Sequence, residues 1–268
     1  MSQILKTVVY QSYKTHDVPA WIARCMDGVK NWALSSGHDY RISGDEIFDL
    51  LPGDYRARAA GRMPVLSDLA RLIMARNLLA EGYERTIWID ADVLIFDPEH
   101  FHIDTKEDFA FCREIWIQPN GKGGIKVFRN VHNAVCVFNR GASFLDFYID
   151  ACQQVVGRID AETSMVNQIV GPKLLSALHN MIGYPVMQNI GMLSPLVLQD
   201  IDRDGGPALD MLISEMPGPM QAANLCSSLA GGVIDNIDLN HTMMNRIVTA
   251  LVEVRGGQLS VLPEVEAS

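Results

Sequence analysis

The feature that most constrains the fold is an apolar run ending in two carboxylates one residue apart. It reads Arg85-Thr-Ile-Trp-Ile-Asp90-Ala-Asp92-Val-Leu-Ile-Phe96. The β-branched and aromatic residues at 86–89 predict a strand buried on both faces, as in a mainly parallel sheet covered by helices. In such sheets the ligand crevice lies beyond the carboxyl ends of the strands. Asp90 and Asp92 are therefore predicted to hold a divalent cation that bridges them to a diphosphate.

The spacing of the two acids is weak evidence by itself. Overlapping pairs of the same spacing recur in Asp200-Ile-Asp202-Arg-Asp204. The first pair differs in its setting, because an apolar strand precedes it, an apolar segment follows it, and Asp97-Pro98 then forms a turn. Charges at the end of a core strand are costly to desolvate unless they have partners. This cost favours a functional pair over a solvated turn.

Length and charge exclude some classes of protein. A chain of 268 residues with 48% apolar content has ample material for the core of one large α/β domain. The net charge of −10 leaves no basic surplus for non-specific binding to nucleic acid, which depends on neutralising phosphates. An anionic ligand would need local positive charge. Arg56, Arg58 and Arg62, between Pro52 and Pro64, either supply it or belong to a solvated loop.

Cysteine usage and hydropathy bear on location. The five cysteines, Cys25, Cys112, Cys136, Cys152 and Cys226, show neither C-x-x-C spacing nor the density of a disulfide scaffold. This pattern favours a reduced, cytoplasmic setting. The N-terminal apolar run is too short for a signal peptide, and no apolar stretch is long enough for a transmembrane helix. Peripheral contact with a membrane stays open.

Strands and helices are predicted to alternate between positions 7 and 180, which is typical of an α/β domain. Positions 180–241, rich in Gly, Pro and Met, are predicted to form an irregular C-terminal elaboration. The predicted strands lie at 7–10, 37–43, 86–89, 108–112 and 131–138, and the predicted helices at 17–35, 44–52, 64–81, 141–156, 161–170, 172–179 and 242–254.

The helix predicted at 64–81 carries an acid and a base of interest. Proline opens it, Gly82 closes it, and its apolar residues recur at helical spacing on one side. Asp68 and Arg71 fall on rows just beside that apolar face. They either border a cleft or form an i,i+3 ion pair that stabilises the helix by only a few tenths of a kcal/mol.

Three further polar features are candidates for binding a ligand or a metal ion. Asn133, which with Asn139 flanks an apolar strand centre, either binds sugar hydroxyls or caps a turn. His241 is a candidate third metal ligand or phosphate contact, or else helps Asn240 to cap a helix. The segment from Asp200 to Gly205 begins like a calcium-binding loop, but Met211 stands where the bidentate glutamate belongs.

Several separated pieces together resemble one known group. They are Gln11-Ser-Tyr, Ser67-Asp68-Leu-Ala-Arg71, Asp90-Ala-Asp92, Asn133 and Gly171-Pro172. This combination, over about positions 7–180, resembles the DXD sugar-binding glycosyltransferases, which include mannosyltransferase-like, capsular-sugar-transferase and large clostridial toxin relatives. The chain departs from that pattern at two places. Ahead of the acidic pair, relatives commonly have two glycines and a tyrosine, whereas this chain has Glu81-Gly82-Tyr83-Glu84-Arg85. Before Gly171-Pro172, this chain has Val170 where relatives have threonine.

The resemblance implies a GT-A-like, Rossmann-like central sheet in a single domain over residues 1–268. Residues up to about 110 would bind the nucleotide sugar, and 111–268 would form the acceptor side. The resemblance assigns Mn²⁺ or Mg²⁺ to Asp92 directly, with Asp90 contacting the ribose or a metal-bound water. It assigns the donor sugar to Asp68 and Arg71, and further donor contacts to the remaining polar residues, Tyr10, Gln11, Ser12 and Asn133.

The implied reaction is transfer of a hexose from a nucleoside diphosphate sugar to a hydroxyl of a saccharide, lipid or protein, with retention of configuration, as in polysaccharide biosynthesis. Asp68, Arg71, Asp90 and Asp92 would form the catalytic group. Two alternatives use the same crevice: a nucleotide-sugar-binding domain without turnover, and a nucleotidyltransferase. The released product distinguishes them, because a transferase releases nucleoside diphosphate, a nucleotidyltransferase releases pyrophosphate, and a binder releases neither.

Overall fold

Strands and helices alternate through the computed structural model, which describes residues 5–59, 61–159 and 165–254. The strands are β1 Thr7–Ser12, β2 Asp39–Ser43, β3 Arg85–Ile89, β4 Val93–Ile95, β5 Phe109–Pro119, β6 Ile125–Asn139, β7 Val186–Met187, β8 Ile190–Met192, β9 Ala222–Asn224, β10 Val233–Ile234 and β11 Ile237–Asp238. The helices are α1 Ala20–Ser35, α2 Gly53–Arg58, α3 Met63–Ala80, α4 Ser143–Arg158, α5 Pro172–Ile182, α6 Pro195–Asp202, α7 Pro207–Glu215 and α8 His241–Thr249. Within the described ranges no helix is long and apolar enough to cross a membrane.

The main sheet has six strands in the order β2-β1-β3-β6-β5-β7. β1 pairs in parallel with both β2 and β3, and β5 pairs in parallel with β7. β6 is antiparallel to both of its neighbours, so it runs against the other five strands. The predicted α/β class with a mainly parallel sheet is confirmed, and so is the interior position of β3.

The continuous apolar run of β3 is explained by the two layers that cover it. Successive side chains of a strand point to opposite faces of the sheet. Ile87 and Ile89 pack on the side where Val29 of α1 lies. Trp88 packs on the other side, in the cluster that contains α3 and Tyr148 of α4. With helices on both faces, β3 has no solvent-facing side that would require polar residues.

A small second sheet follows directly after the acidic pair. Its strand order is β4-β9-β8. β4 pairs antiparallel with β9, and Val93 lies opposite Asn224. The chain therefore leaves the main sheet at the acidic pair and is held there by a segment that lies far along the sequence. This pairing crosses the predicted division into a nucleotide part and an acceptor part.

The C-terminal third is more regular than predicted. Instead of an irregular elaboration it contains α6 and α7, which pack with α8 and α1 around a separate apolar cluster that includes Leu198, Leu212 and Ile247. α6 and α7 are only eight and nine residues long, and each begins with proline. Helices this short show little periodicity, although Pro195 and Pro207 mark their first positions.

Other element predictions need correction. β5 and β6 have 11 and 15 residues and form one long hairpin around a turn at 120–124, so both exceed their predicted lengths. Positions 165–170 do not form the predicted helix, since 167–170 are turns, and 161–164 lie outside the described residues. The arginine-rich segment after Pro52 is not a plain loop, because α2 contains Arg56 and Arg58.

Candidate functional site

The acidic pair lies at the carboxyl end of β3, in a tight turn. The Asp90 N–H donates to the Ala134 carbonyl at 2.7 Å, which extends the pairing with β6 by one residue. The Val93 N–H donates back to the Asp90 carbonyl at 3.1 Å, which closes the turn before β4. The two carboxylates consequently differ in access. The Asp90 side chain is 23% exposed, whereas Asp92 is only 6% exposed.

Asp92 is held by the last residue of β9 and by the segment that follows this strand. Its Oδ1 accepts a hydrogen bond from Asn224 Nδ2 at 2.7 Å, and its Oδ2 accepts one from the Ser227 N–H at 2.6 Å. The Leu225 N–H donates to the Asp92 carbonyl at 3.0 Å. Both carboxylate oxygens of this buried acid therefore have donors, which offsets part of its desolvation cost.

Asp90 lies between donors and other charges. Its Oδ1 accepts from Trp88 Nε1 at 2.6 Å and lies 3.1 Å from Arg71 Nη1. Its Oδ2 lies 3.4 Å from Asn224 Nδ2. Burial raises the pKa of Asp90 to about 7 although Arg71 lowers it, and the neighbouring Asp92 adds to the rise. Without a cation, Asp90 thus exchanges a proton near neutral pH.

Asn224 is the site residue that the sequence did not reveal. Its amide nitrogen lies within hydrogen-bond range of both acids, and its Oδ1 accepts from the Cys226 N–H at 2.7 Å. Cys226 has a left-handed backbone with φ of 54°. The short strand Ala222-Ala-Asn224 carries no local signal of this role.

Arg71 connects helix α3 to the acidic pair. Its Nη2 lies 3.2 Å from Asp68 Oδ1, and its Nη1 lies 3.1 Å from Asp90 Oδ1. The guanidinium lies over the Trp88 ring, 4.9 Å from the centroid. Burial lowers the pKa of Arg71, but Asp90 and Asp68 outweigh it, so the pKa is raised and the charge is permanent. The i,i+3 ion pair between Asp68 and Arg71 is therefore present, but both partners are buried rather than exposed on the helix surface.

Asn133 completes this buried group from β6. Its Nδ2 donates to Asp68 Oδ1 at 2.8 Å, and its backbone carbonyl accepts from Arg71 Nη1 at 2.7 Å. Asn133 lies inside β6, so the interpretation as a turn cap is wrong. Burial raises the pKa of Asp68, while Arg71 and Asn133 oppose the rise. Helix α3, strand β3 and strand β6 thus all contribute to one connected polar group.

The β1 residues that are predicted to contact the sugar donor form hydrogen bonds to the backbone of neighbouring segments. The Tyr10 hydroxyl donates to the Arg71 carbonyl at 2.7 Å, and Gln11 Nε2 donates to the Asp90 carbonyl at 3.2 Å. Ser12 Oγ donates to the Gly44 carbonyl at 3.2 Å. Tyr10 and Gln11 are buried, so both fix the backbone that carries the charged side chains. Direct contact of these three residues with a donor stays a prediction.

His241 is not brought together with the acidic pair. Its Nδ1 accepts a hydrogen bond from Trp21 Nε1 at 3.2 Å. In the part of the chain that the structure describes, no group of three or more His, Cys, Asp and Glu side chains is arranged to hold a metal ion. His241 is the first residue of helix α8, beside the cap Asn240, whose Oδ1 accepts from the Met243 N–H at 2.9 Å.

The second acidic run has structural partners instead of a calcium-binding arrangement. Asp200 Oδ2 accepts from the Ala208 and Leu209 N–H groups at 2.7 and 3.0 Å, which caps the start of α7. Asp202 forms an ion pair with Arg246 of α8 at 2.7 Å. Residues 200–202 are helical, so they cannot form the predicted start of a calcium loop.

The arginines after Pro52 are spread rather than clustered on one ligand. Arg56 lies 3.4 Å from Asp49, and Arg62 Nε donates to the Met165 carbonyl at 3.0 Å. All five cysteines are buried and none forms a disulfide.

Comparisons with known proteins give structural likenesses alone. No family model matches the chain, and no curated protein matches it. A glycosyltransferase involved in the glycosylation of the major capsid of PBCV-1 is 11% identical over 82% of this chain and 92% of that one, with a TM-score of 0.43.

The galactosyltransferase LgtC, solved with donor and acceptor sugar analogues, is 12% identical over 96% of this chain and 98% of that one, with a TM-score of 0.47. The glycosyltransferase GlyE of Streptococcus pneumoniae TIGR4 is 10% identical over 96% of this chain and 65% of that one, with a TM-score of 0.41. Since each of these TM-scores is below 0.5, the function has to be inferred from the chain's own residues.

Proposed function

We propose that this protein is a glycosyltransferase that moves a sugar from a nucleoside diphosphate sugar to a hydroxyl acceptor, with a divalent cation at Asp90 and Asp92. One observation carries the proposal. Asp90 Oδ2 and Asp92 Oδ1 converge on the single amide nitrogen of Asn224, at 3.4 and 2.7 Å, at the carboxyl end of a central strand. This is the edge of an α/β sheet where ligands bind.

The donor set suits Mn²⁺ or Mg²⁺. Both cations prefer oxygen ligands, and Mg²⁺ is often held by one or two carboxylates together with substrate phosphates. Asp90 and Asp92 supply the carboxylates, and the side-chain amide of Asn224 lies between them. Asp92 is proposed as the direct ligand, in line with the resemblance. When bound, the cation would neutralise negative charge that develops on the leaving diphosphate.

The protein's own residues would orient the donor. Arg71 holds Asp90 by Oδ1, which leaves Oδ2 facing the side of Asn224 and Asp92. Asp68 is fixed by Asn133 and Arg71, and it is proposed to accept a hydrogen bond from a hydroxyl of the donor sugar. Preorganised charges of this kind need little rearrangement during reaction. Retention of configuration and a cytoplasmic place in polysaccharide biosynthesis remain parts of this proposal.

Turnover of a panel of UDP- and GDP-sugars tests the function. With Mn²⁺, a glycosyltransferase should release nucleoside diphosphate, slowly by hydrolysis and faster with an acceptor. Asp92→Asn should abolish the release, while the exposed Asp210→Asn serves as a control of equal charge change. Release of pyrophosphate would instead indicate a nucleotidyltransferase, and tight binding without any release would indicate a binding domain.

A further inference from the structure

Gly171 presses against the buried carboxylate of Asp68. A Cβ added at Gly171 would lie 2.6 Å from Asp68 Oδ2 and 3.2 Å from both side-chain polar atoms of Asn133. Glycine is therefore required here for close approach to Asp68 and Asn133.

The turn that contains Gly171 is anchored on both sides. The Tyr148 hydroxyl of α4 donates to the Val170 carbonyl at 2.7 Å. On the other side, Ser176 of α5 accepts from the Val131 N–H of β6 at 2.9 Å. α5 begins directly after Gly171, so the turn cannot retreat without moving the helix. A side chain at 171 would instead displace Asp68 or Asn133.

We propose that Gly171 is a positioning residue for donor-sugar recognition. Asp68 Oδ1 is taken by Asn133 and Arg71, and the turn at Gly171 closes on Oδ2. The carboxylate is thereby fixed from two sides, beside the positive end of helix α5. This inference rests on the proposed function, because it assigns to the fixed carboxylate the recognition of a sugar hydroxyl on the donor.

A stability cycle tests the contact without any ligand. Gly171→Ala should lower the melting temperature by roughly 2–10 °C, the range expected from overpacking in a chain of this size. The loss should persist in Asp68→Asn, which keeps an atom at the position of Oδ2, and should become clearly smaller in Asp68→Ala, where only the contacts with Asn133 remain. Gly157→Ala in α4, where a Cβ meets nothing within 4 Å, is the matched control. An equal loss in the Asp68→Ala background would overturn the contact.

Ligand binding tests the role in recognition. Calorimetry with Mn²⁺ would compare UDP with UDP-glucose, and GDP with GDP-mannose, on wild type, Gly171→Ala and Gly157→Ala. Gly171→Ala should keep the affinity for the nucleoside diphosphate and lose the extra affinity given by the sugar, by about tenfold. If Gly171→Ala gains as much affinity from the sugar as wild type does, the inference is overturned. If wild type binds none of these probes, the proposed function fails, while the stability cycle still decides the contact.

Discussion

Two halves of the site differ in how their charges are balanced. On the α3 side, Arg71 lies within 3.2 Å of both Asp68 and Asp90, and Asn133 donates to Asp68. On the β4 side, Asp90 and Asp92 face each other across a single neutral amide, that of Asn224. In the first half, the carboxylates already have their charged and hydrogen-bonding partners in place. The second half carries unbalanced negative charge, which is the electrostatic requirement for binding a cation.

The largest expected effect comes from breaking the balanced half. Arg71→Ala removes the guanidinium shared by buried Asp68 and partly exposed Asp90, and loss of one partner of a buried pair typically costs about 3–5 kcal/mol. Transfer should fall below detection. Arg71→Lys keeps the charge but loses the forked geometry, so it should recover part of the stability and little of the activity. Chemical denaturation and donor turnover check both variants.

A loss of less than about 1 kcal/mol in the unfolding free energy of Arg71→Ala would mean that Asp68 and Arg71 contribute no more than a surface ion pair does. That small loss is what the sequence alone suggested for a charged pair beside an apolar helix face. The burial of both side chains predicts the larger value.

The unbalanced half should respond to pH. Burial raises the pKa of Asp90 to about 7 in the cation-free protein. Since a cation beside Asp90 favours its ionised form, the apparent affinity for Mn²⁺ with nucleoside diphosphate should fall by up to about tenfold per pH unit below 7 and level off above it. Calorimetry in buffers of different ionisation enthalpy should detect release of a proton near pH 6. Asp90→Asn, which has no carboxyl proton to release, should bind weakly and show only the pH dependence that belongs to the phosphates of the nucleotide.

The same carboxyl affects stability in a defined direction. Its folded pKa is raised above its unfolded value, so its favourable contribution is present at low pH and is lost as pH rises from about 4 to about 7. Glu114, whose pKa burial also raises to about 7, changes stability with the same sign. In the cation-free protein, Asp90→Asn should therefore remove only part of the slope of the unfolding free energy against pH. Denaturation at pH 5 and pH 8 measures this slope. An unchanged slope would mean that Asp90 is ionised throughout.

The smallest effect is expected from an ion pair outside the site. Arg246 pairs with Asp202 at 2.7 Å, but the arginine side chain is 57% exposed. Exposed pairs contribute about 0–1 kcal/mol, so Arg246→Ala should change unfolding by less than that and leave donor binding unchanged. A clear loss of binding would show that the second acidic run takes part in function, contrary to its capping and pairing roles.

The sequence predicted what depends on local pattern. β3 followed from an apolar run, and α3 from proline, glycine and helical spacing. The burial of Asp68 and Arg71 did not follow, because an amphipathic pattern places charges on the solvent side unless a partner layer covers them. That layer is β6, where the Asn133 carbonyl accepts a hydrogen bond from Arg71.

Asn224 was beyond prediction for a different reason. Its strand β9 has three residues, and its pairing with β4 joins Asn224 to Val93, which lies far away in the sequence. Neither periodicity nor turn chemistry encodes a contact of that range. The helices α6 and α7, which precede Asn224, were not predicted because they are too short to show helical periodicity. Only the prolines that begin them mark their positions in the sequence.

The claim that the unbalanced half binds a cation through Asp92 is tested most directly by calorimetric titration of UDP and GDP, with and without Mn²⁺. Asp92→Asn keeps the size of the side chain and removes the charge that a hard cation requires. Wild type should bind the nucleoside diphosphate at least about tenfold more tightly with Mn²⁺, and Asp92→Asn should lose this gain while remaining folded. Equal dependence on Mn²⁺ in wild type and Asp92→Asn would contradict the account and place the cation elsewhere.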